Sequence, residues 1–248
     1  YIFMENTEPK EKDLKLYSIF TGIFVTVLVL VAPLASKFIA VGPWVLSGAT
    51  LVFPITFIFN DILTEVYGYQ RSRRIIWTGM GCQIFAAFMF FLVGIWPAAS
   101  FWNNQEAYNL ILGTAPRIFL ASIGAYFFSE FTNSLVLSKM KYWQQGKRGL
   151  QQGWRFVAST IAGEFVDSIV FMAIAFIGVL DTKTIVTTII TIWIAKVLYE
   201  VIALPFTTRF ANYVKRVEGV DKIDYPDHTN YNPFSVFFSK KNLPSKYQ

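Results

Sequence analysis

Cysteine and histidine are almost absent from this chain: Cys82 and His228 are the only examples in 248 residues. A lone cysteine excludes an internal disulfide, and one cysteine with one histidine leaves no spacing that could hold zinc or form a redox motif. No cofactor and no metal are expected. Charge is scarce too, at 15% of residues, and no G-x-x-x-x-G-K-S/T run occurs. ATP hydrolysis would therefore have to come from a separate module. A soluble composition is excluded by what replaces these residues: 54% of the chain is hydrophobic and 25 residues are Phe. The formal charge of +6 does not point to nucleic acid. Most cations fall in connecting loops, where membrane topology accounts for them. His228, just after Pro226 and Asp227, reads as a solvated tail residue.

A membrane helix needs about 20 mostly apolar residues. Six stretches qualify, at about 16–35, 44–66, 75–96, 116–138, 154–180 and 185–206, and the connections between them are short. The fold class is an all-α membrane protein, a six-helix transmembrane bundle in a single domain spanning 1–248, with 207–248 as a polar tail. The first span is long enough to cross rather than to be cleaved as a signal. Gly42 and Pro43 read as the entry to the second span, and Pro54 as a kink within it. Gly79, Gly81, Ala86 and Ala87 suit close helix contact in the third. Lys and Arg alternate along the chain: three before the first span, Lys37, three, Arg117, five, Lys183, and seven in the tail. By the positive-inside rule both termini are cytoplasmic.

Acidic residues inside such helices are costly, about 2.5 to 3.5 kcal/mol each at a helix centre on insertion scales. Two copies of one acidic pattern nevertheless occur, Ser129-Glu130-Phe131-Thr132-Asn133-Ser134 and Gly163-Glu164-Phe165-Val166-Asp167-Ser168. They lie on successive spans of opposite direction. At about 1.5 Å per residue both glutamates sit roughly 12 to 15 Å from the cytoplasmic ends, so they can meet at one depth. Asp61 with Glu65, and Lys196 with Glu200, are four apart and share helix faces. Carboxylates in excess suit a ligand rich in hydrogen-bond donors and also suit proton coupling. The expected binding set is Glu130, Asn133, Glu164, Asp167, Ser168, Phe131, Phe165 and Tyr199, with the aromatics, together with Tyr126 and Trp193, placed to flank a flat heterocycle. Asp61, Glu65, Lys196 and Glu200 are expected to couple or gate. Bland alternatives are surface pairing of Asp61 and Glu65 with Arg71, Arg73 or Arg74, and a Lys196–Glu200 ion pair.

The sequence resembles the queuosine-precursor transporter family, formerly grouped as vitamin-uptake transporters. Phe53-Pro54, Asp61-x-x-x-Glu65-Val66-Tyr67-Gly68, Ser129-Glu130-Phe131 with Asn133-Ser134, Ser159-Thr160 with Gly163-Glu164 and Asp167-Ser168, and Lys196 to Pro205 carry the resemblance over about 16–206. It implies a fold similar to the substrate-binding subunits of energy-coupling-factor transporters. It also implies uptake of 7-cyano-7-deazaguanine, 7-aminomethyl-7-deazaguanine or queuine across a bacterial cytoplasmic membrane, with Glu130 or Glu164 reading the guanine-like edge. The implied partners are that ligand and the bilayer. A homodimer and an ATPase module remain open, the latter marking a vitamin-type binding subunit. An intramembrane aspartyl enzyme using Asp61 and Asp167 is the remote rival, and the Gly-x-Gly-Asp context it needs is missing.

Overall fold

The computed structural model describes residues 14–41, 44–113 and 116–236. Residues 1–13, Gly42 and Pro43 at the expected entry to the second span, 114–115 and the end of the tail at 237–248 lie outside the described residues. Helix α1 (Tyr17–Ala35) buries Phe20, Phe24, Val27 and Leu28, spaced by four, three and one. Ile19, Ile23 and Leu30 point outward. That one-sided burial of an apolar helix leaves the other face to lipid.

The second expected span is not one helix. Strands β1 (Phe38–Val41) and β2 (Trp44–Ser47) form an antiparallel hairpin pairing Ile39 with Leu46. A 3-10 turn, Gly48–Leu51, follows, and helix α2 (Phe53–Tyr67) begins only then. Pro54 therefore starts a helix rather than kinking one, at a position where its missing N–H costs nothing. At about 1.5 Å per residue α2 falls short of a hydrocarbon layer of about 30 Å. Non-helical backbone at that depth is tolerated where it lines a cavity, and Ala49 of the turn does so.

Gly68, at φ 82°, makes the corner into α3 (Tyr69–Ile95). A short helix, α4 (Gln105–Leu112), lies between α3 and α5 (Pro116–Trp143). Helices α5 and α6 (Leu150–Phe176) form a hairpin with the most extensive interhelical contact in the bundle. A methyl on Gly163 would sit 2.9 Å from Asn133 Cβ and 3.2 Å from the Ser129 carbonyl oxygen, so the two acidic motifs touch at a glycine. Helix α7 (Thr182–Glu218) runs continuously through Pro205, twelve residues beyond the expected end at 206. Among the described residues five stretches are long and apolar enough to cross a membrane: α1, α3, the stretch containing α5, α6 and α7. The all-α membrane fold is as expected, with α2 as the short sixth helix of the bundle.

Packing is uneven along the bundle axis. Ile62, Leu63, Val66, Tyr67, Tyr69, Ile75, Ile76, Leu137, Phe156, Ala211 and Val214 make a dense core around the α2–α3 corner. Segment 219–236 closes over this end. The Lys222 amide donates to the Val66 carbonyl (3.0 Å), Tyr69 N–H to Asp224 Oδ2 (2.8 Å), Arg73 to the carbonyls of Asn230 (2.7 Å) and Asn232 (2.9 Å), and Trp77 Nε1 to that of Pro233 (2.8 Å). Asp224 thus caps the start of α3 where free N–H groups and the helix dipole favour an anion. What reads in sequence as a featureless tail is, up to Val236, a fitted strap. His228 is exposed on it. Toward the α4 end the helices part around a cavity.

Candidate functional site

Two polar layers divide the bundle. At the strap end Glu65 is fully buried and saturated: Arg155 donates Nε to Oε2 (2.8 Å) and Nη2 to Oε1 (2.5 Å), and Lys215 Nζ stands 2.5 Å from Oε1. Gln152 adds a longer contact of 3.4 Å, and Lys141 donates to the Glu65 carbonyl. Asp221 of the strap joins Lys141 (2.6 Å) and Lys215 (2.9 Å). Burial raises the Asp221 carboxyl, but the two ammonium groups outweigh that and hold it below its ordinary value.

This corrects the reading of Glu65 as a partner of Arg71, Arg73 or Arg74. The chain turns at Gly68 and carries those arginines away, while α6 and α7 bring Arg155 and Lys215 inward. Lys141 and Arg155, counted as loop cations in the topology, are buried members of this layer. Sequence spacing held a signal for Lys215: Ala211, Val214, Lys215 and Glu218 continue a helical face past Pro205 and are all buried.

Between the layers, Asp61 Oδ1 accepts from Asn133 Nδ2 at 2.7 Å. Ser134 donates to Asn60 Oδ1 (3.1 Å), and Thr64 reaches both Ser134 (3.1 Å) and Ser72 (2.9 Å). Asp61 and Asn133 are therefore bonded to each other, and neither lines the cavity.

The second layer forms one end of a cavity of about 1070 Å³. Its polar lining includes Ser129 and Glu130 from α5, Thr160, Glu164, Asp167 and Ser168 from α6, and Lys196, Tyr199 and Glu200 from α7. Thr160, Glu164 and Ser168 are four apart and so form one row along α6. Lys196 Nζ lies 2.7 Å from Glu164 Oε2 and 2.5 Å from Asp167 Oδ2. The expected Lys196–Glu200 pair is replaced by this pairing across α6 and α7. Glu130 Oε2, Glu200 Oε1, Thr160 Oγ1 and Ser168 Oγ are buried without a hydrogen-bond partner among the described residues. From the cluster toward α4 the walls are apolar, with Phe57, Phe171, Ile118 and Leu110.

Seven expected site residues thus converge on the cavity: Glu130, Glu164, Asp167, Ser168, Lys196, Tyr199 and Glu200. Of the expected aromatic flanks, Tyr126 and Tyr199 line the cavity, whereas Phe131, Phe165 and Trp193 do not. Phe131 packs into the core against Phe127 (centroids 4.9 Å) and Trp77 (6.2 Å), and Phe165 lies outside against Trp193 (5.3 Å). On an α-helix the residue after an inward glutamate is turned by about 100°, which takes it off the cavity face. Thr160 went unassigned, although its place one turn before Glu164 marks the same face.

A helical bundle that crosses a membrane several times and holds a half-satisfied acidic cavity has the architecture of a transporter. Residues 47–210 match the family described as "Putative vitamin uptake transporter", and the chain belongs to that family. It is a multi-pass membrane transporter and not an enzyme. Among curated proteins it is 27% identical over 157 residues to the "Probable queuosine precursor transporter" of Bacillus subtilis (strain 168), covering 63% of this chain and 67% of that protein. No solved structure matches the chain.

Proposed function

We propose that this chain imports queuosine precursors, the 7-deazaguanines, across a bacterial cytoplasmic membrane as a secondary, proton-coupled transporter. The observation that carries the reading is the unsatisfied Glu130 carboxylate, 2% exposed, at the end of a cavity large enough for a bicyclic base. Pockets of about 300–1,000 Å³ suit small molecules. A deazaguanine offers an N–H and an adjacent amino group, the side-by-side donors that one carboxylate accepts. Glu130 takes that edge, with Thr160, Glu164 and Ser168 facing it and Tyr126 and Tyr199 along the ring. Asp167 acts through Lys196, which it shares with Glu164. The curated relative's name supports this substrate class.

With both termini cytoplasmic, the saturated Glu65 layer and the strap close the cytoplasmic end, and the apolar cavity mouth faces outward. Asn133 joins the Glu130 helix to Asp61, so a proton gained or lost at Asp61 is felt in the ligand layer. Glu65, with Arg155 and Lys215, is the inner gate that separates for release.

The test is uptake of radiolabelled precursor by the purified chain in proteoliposomes under an imposed proton gradient without ATP. Wild type accumulates precursor, and Glu130→Gln and Glu164→Gln do not. Intact uptake and binding in both variants would overturn the site. Uptake that appears only with an added ATPase module would assign the chain as a vitamin-type binding subunit.

A further inference from the structure

The cavity is over-supplied with acid even after its internal pairing. Four carboxyl groups line it, those of Glu130, Glu164, Asp167 and Glu200, against the single ammonium of Lys196. Lys196 is committed to Glu164 and Asp167 at 2.7 and 2.5 Å. Two carboxylates are left, on different helices. Glu130 serves the donor edge in the reading above, which leaves Glu200. It is 2% exposed, its Oε1 is buried without a partner among the described residues, and it stands one helical turn from Lys196 on α7. A carboxylate held in that state is costly unless a donor or a cation meets it.

We propose that Glu200 is a cation subsite, and that it selects ligands carrying a primary ammonium group on the heterocycle over neutral ligands of the same shape. The inference rests on the 7-deazaguanine reading of the cavity. The division of labour follows from placement. Glu130, on α5, reads the base edge common to every member of the class. Glu200, on α7, reads the substituent that distinguishes them. Lys196 lies one turn from Glu200 and sharpens the choice, because its own charge sets the distance at which a second cation can sit. Among 7-deazaguanines the aminomethyl compound carries such a cation and the cyano compound does not. The two differ little in size, so their affinity ratio isolates the charge.

The experiment measures equilibrium binding of 7-aminomethyl- and 7-cyano-7-deazaguanine to the purified full chain, for wild type and for Glu200→Gln, Glu200→Asp and Glu130→Gln. A charge-assisted hydrogen bond corresponds to about a tenfold or greater preference for the aminomethyl compound in wild type. Glu200→Gln lowers that ratio by about the same factor, Glu200→Asp restores part of it, and Glu130→Gln weakens both ligands together while leaving the ratio. The measurement is read as a ratio between two ligands on the same sample, so a loss of folded protein does not imitate the effect. Equal wild-type affinities, or a ratio unmoved by Glu200→Gln, overturn the subsite while leaving the substrate class standing. If Glu200→Gln weakens both ligands alike, the residue is structural and the proposal fails. Binding of neither compound to wild type overturns both the class and the subsite.

Discussion

Glu65, at the strap end, and Glu130, at the cavity, are both enclosed glutamates of the bundle, and their surroundings differ in one respect. Both Glu65 oxygens are met, by Arg155, Lys215 and Gln152, and a strap from the far end of the chain seals the group. Glu130 keeps an oxygen that no described residue meets, at the wall of a cavity. The same side chain at the same burial is thus ion-paired in one layer and open to a cavity in the other. The difference lies in the cations supplied: three meet Glu65 and Asp221 in the closed layer, whereas one stands among four carboxylates at the cavity and pairs with two of them.

The most severe way to break this comparison is to remove a cation from the closed layer. Arg155→Met leaves Glu65 short of its bidentate partner, and losing one side of a buried pair costs about 3 to 5 kcal/mol. Its unfolding midpoint in detergent should fall far below wild type. Glu130→Gln should leave the midpoint unchanged or raise it, because no protein partner is lost. Equal destabilisation by the two substitutions would erase the distinction between the layers. The next effect is on the ligand: Glu130→Gln should weaken precursor binding by about ten- to a hundredfold, the scale of a hydrogen bond to a charged group. Isothermal titration on the purified chain reads it.

Gly163→Ala tests the contact between the motifs. Its methyl meets Asn133 Cβ at 2.9 Å and backbone at 3.2 Å, and overpacking of this kind costs about 1 to 3 kcal/mol. The variant should lower both the midpoint and uptake, since α5 and α6 each hold one wall of the site. The smallest effect is a pH dependence in the strap. The Asp221 carboxyl is lowered in the folded chain, so it contributes stability above the ordinary carboxylate range that is lost as pH falls through its depressed value. Asp221→Asn should flatten the acid side of the midpoint-against-pH curve and leave the alkaline side unchanged. Arg148, 3.3 Å from Asp221 and half exposed, should change it little.

The acidic pairs, their helical spacing and the meeting of the two motifs could be read from residue types, because buried charge is so costly in lipid that its presence carries information. Less of the second span was legible. Residues 44–59 are mostly apolar, and apolarity alone does not distinguish a helix from a hairpin feeding a half-length helix. Partner choice was illegible for a different reason. Lys196 and Glu200 satisfy the one-turn rule, but Lys196 reaches across to α6, where two carboxylates compete with one. Arg155 and Lys215 read as loop and tail cations because they lie near helix ends, and what meets them there, the 144–147 turn for Arg155 and Asp221 of the strap for Lys215, lacks periodicity. The strap's order comes from its hydrogen bonds to groups at the α2–α3 corner.

Glu130 is proposed as the carboxylate that meets a donor-rich base, and ligand-induced stabilisation measures that directly. Purified chain is heated with a panel of 7-deazaguanines, guanine and common vitamins, alongside Glu130→Gln. A ligand that binds only the folded state raises the midpoint with concentration. The predicted result is a concentration-dependent rise for at least one 7-deazaguanine in wild type and none in Glu130→Gln. An equal rise in both proteins, or a rise with a vitamin and with no 7-deazaguanine, would contradict the account.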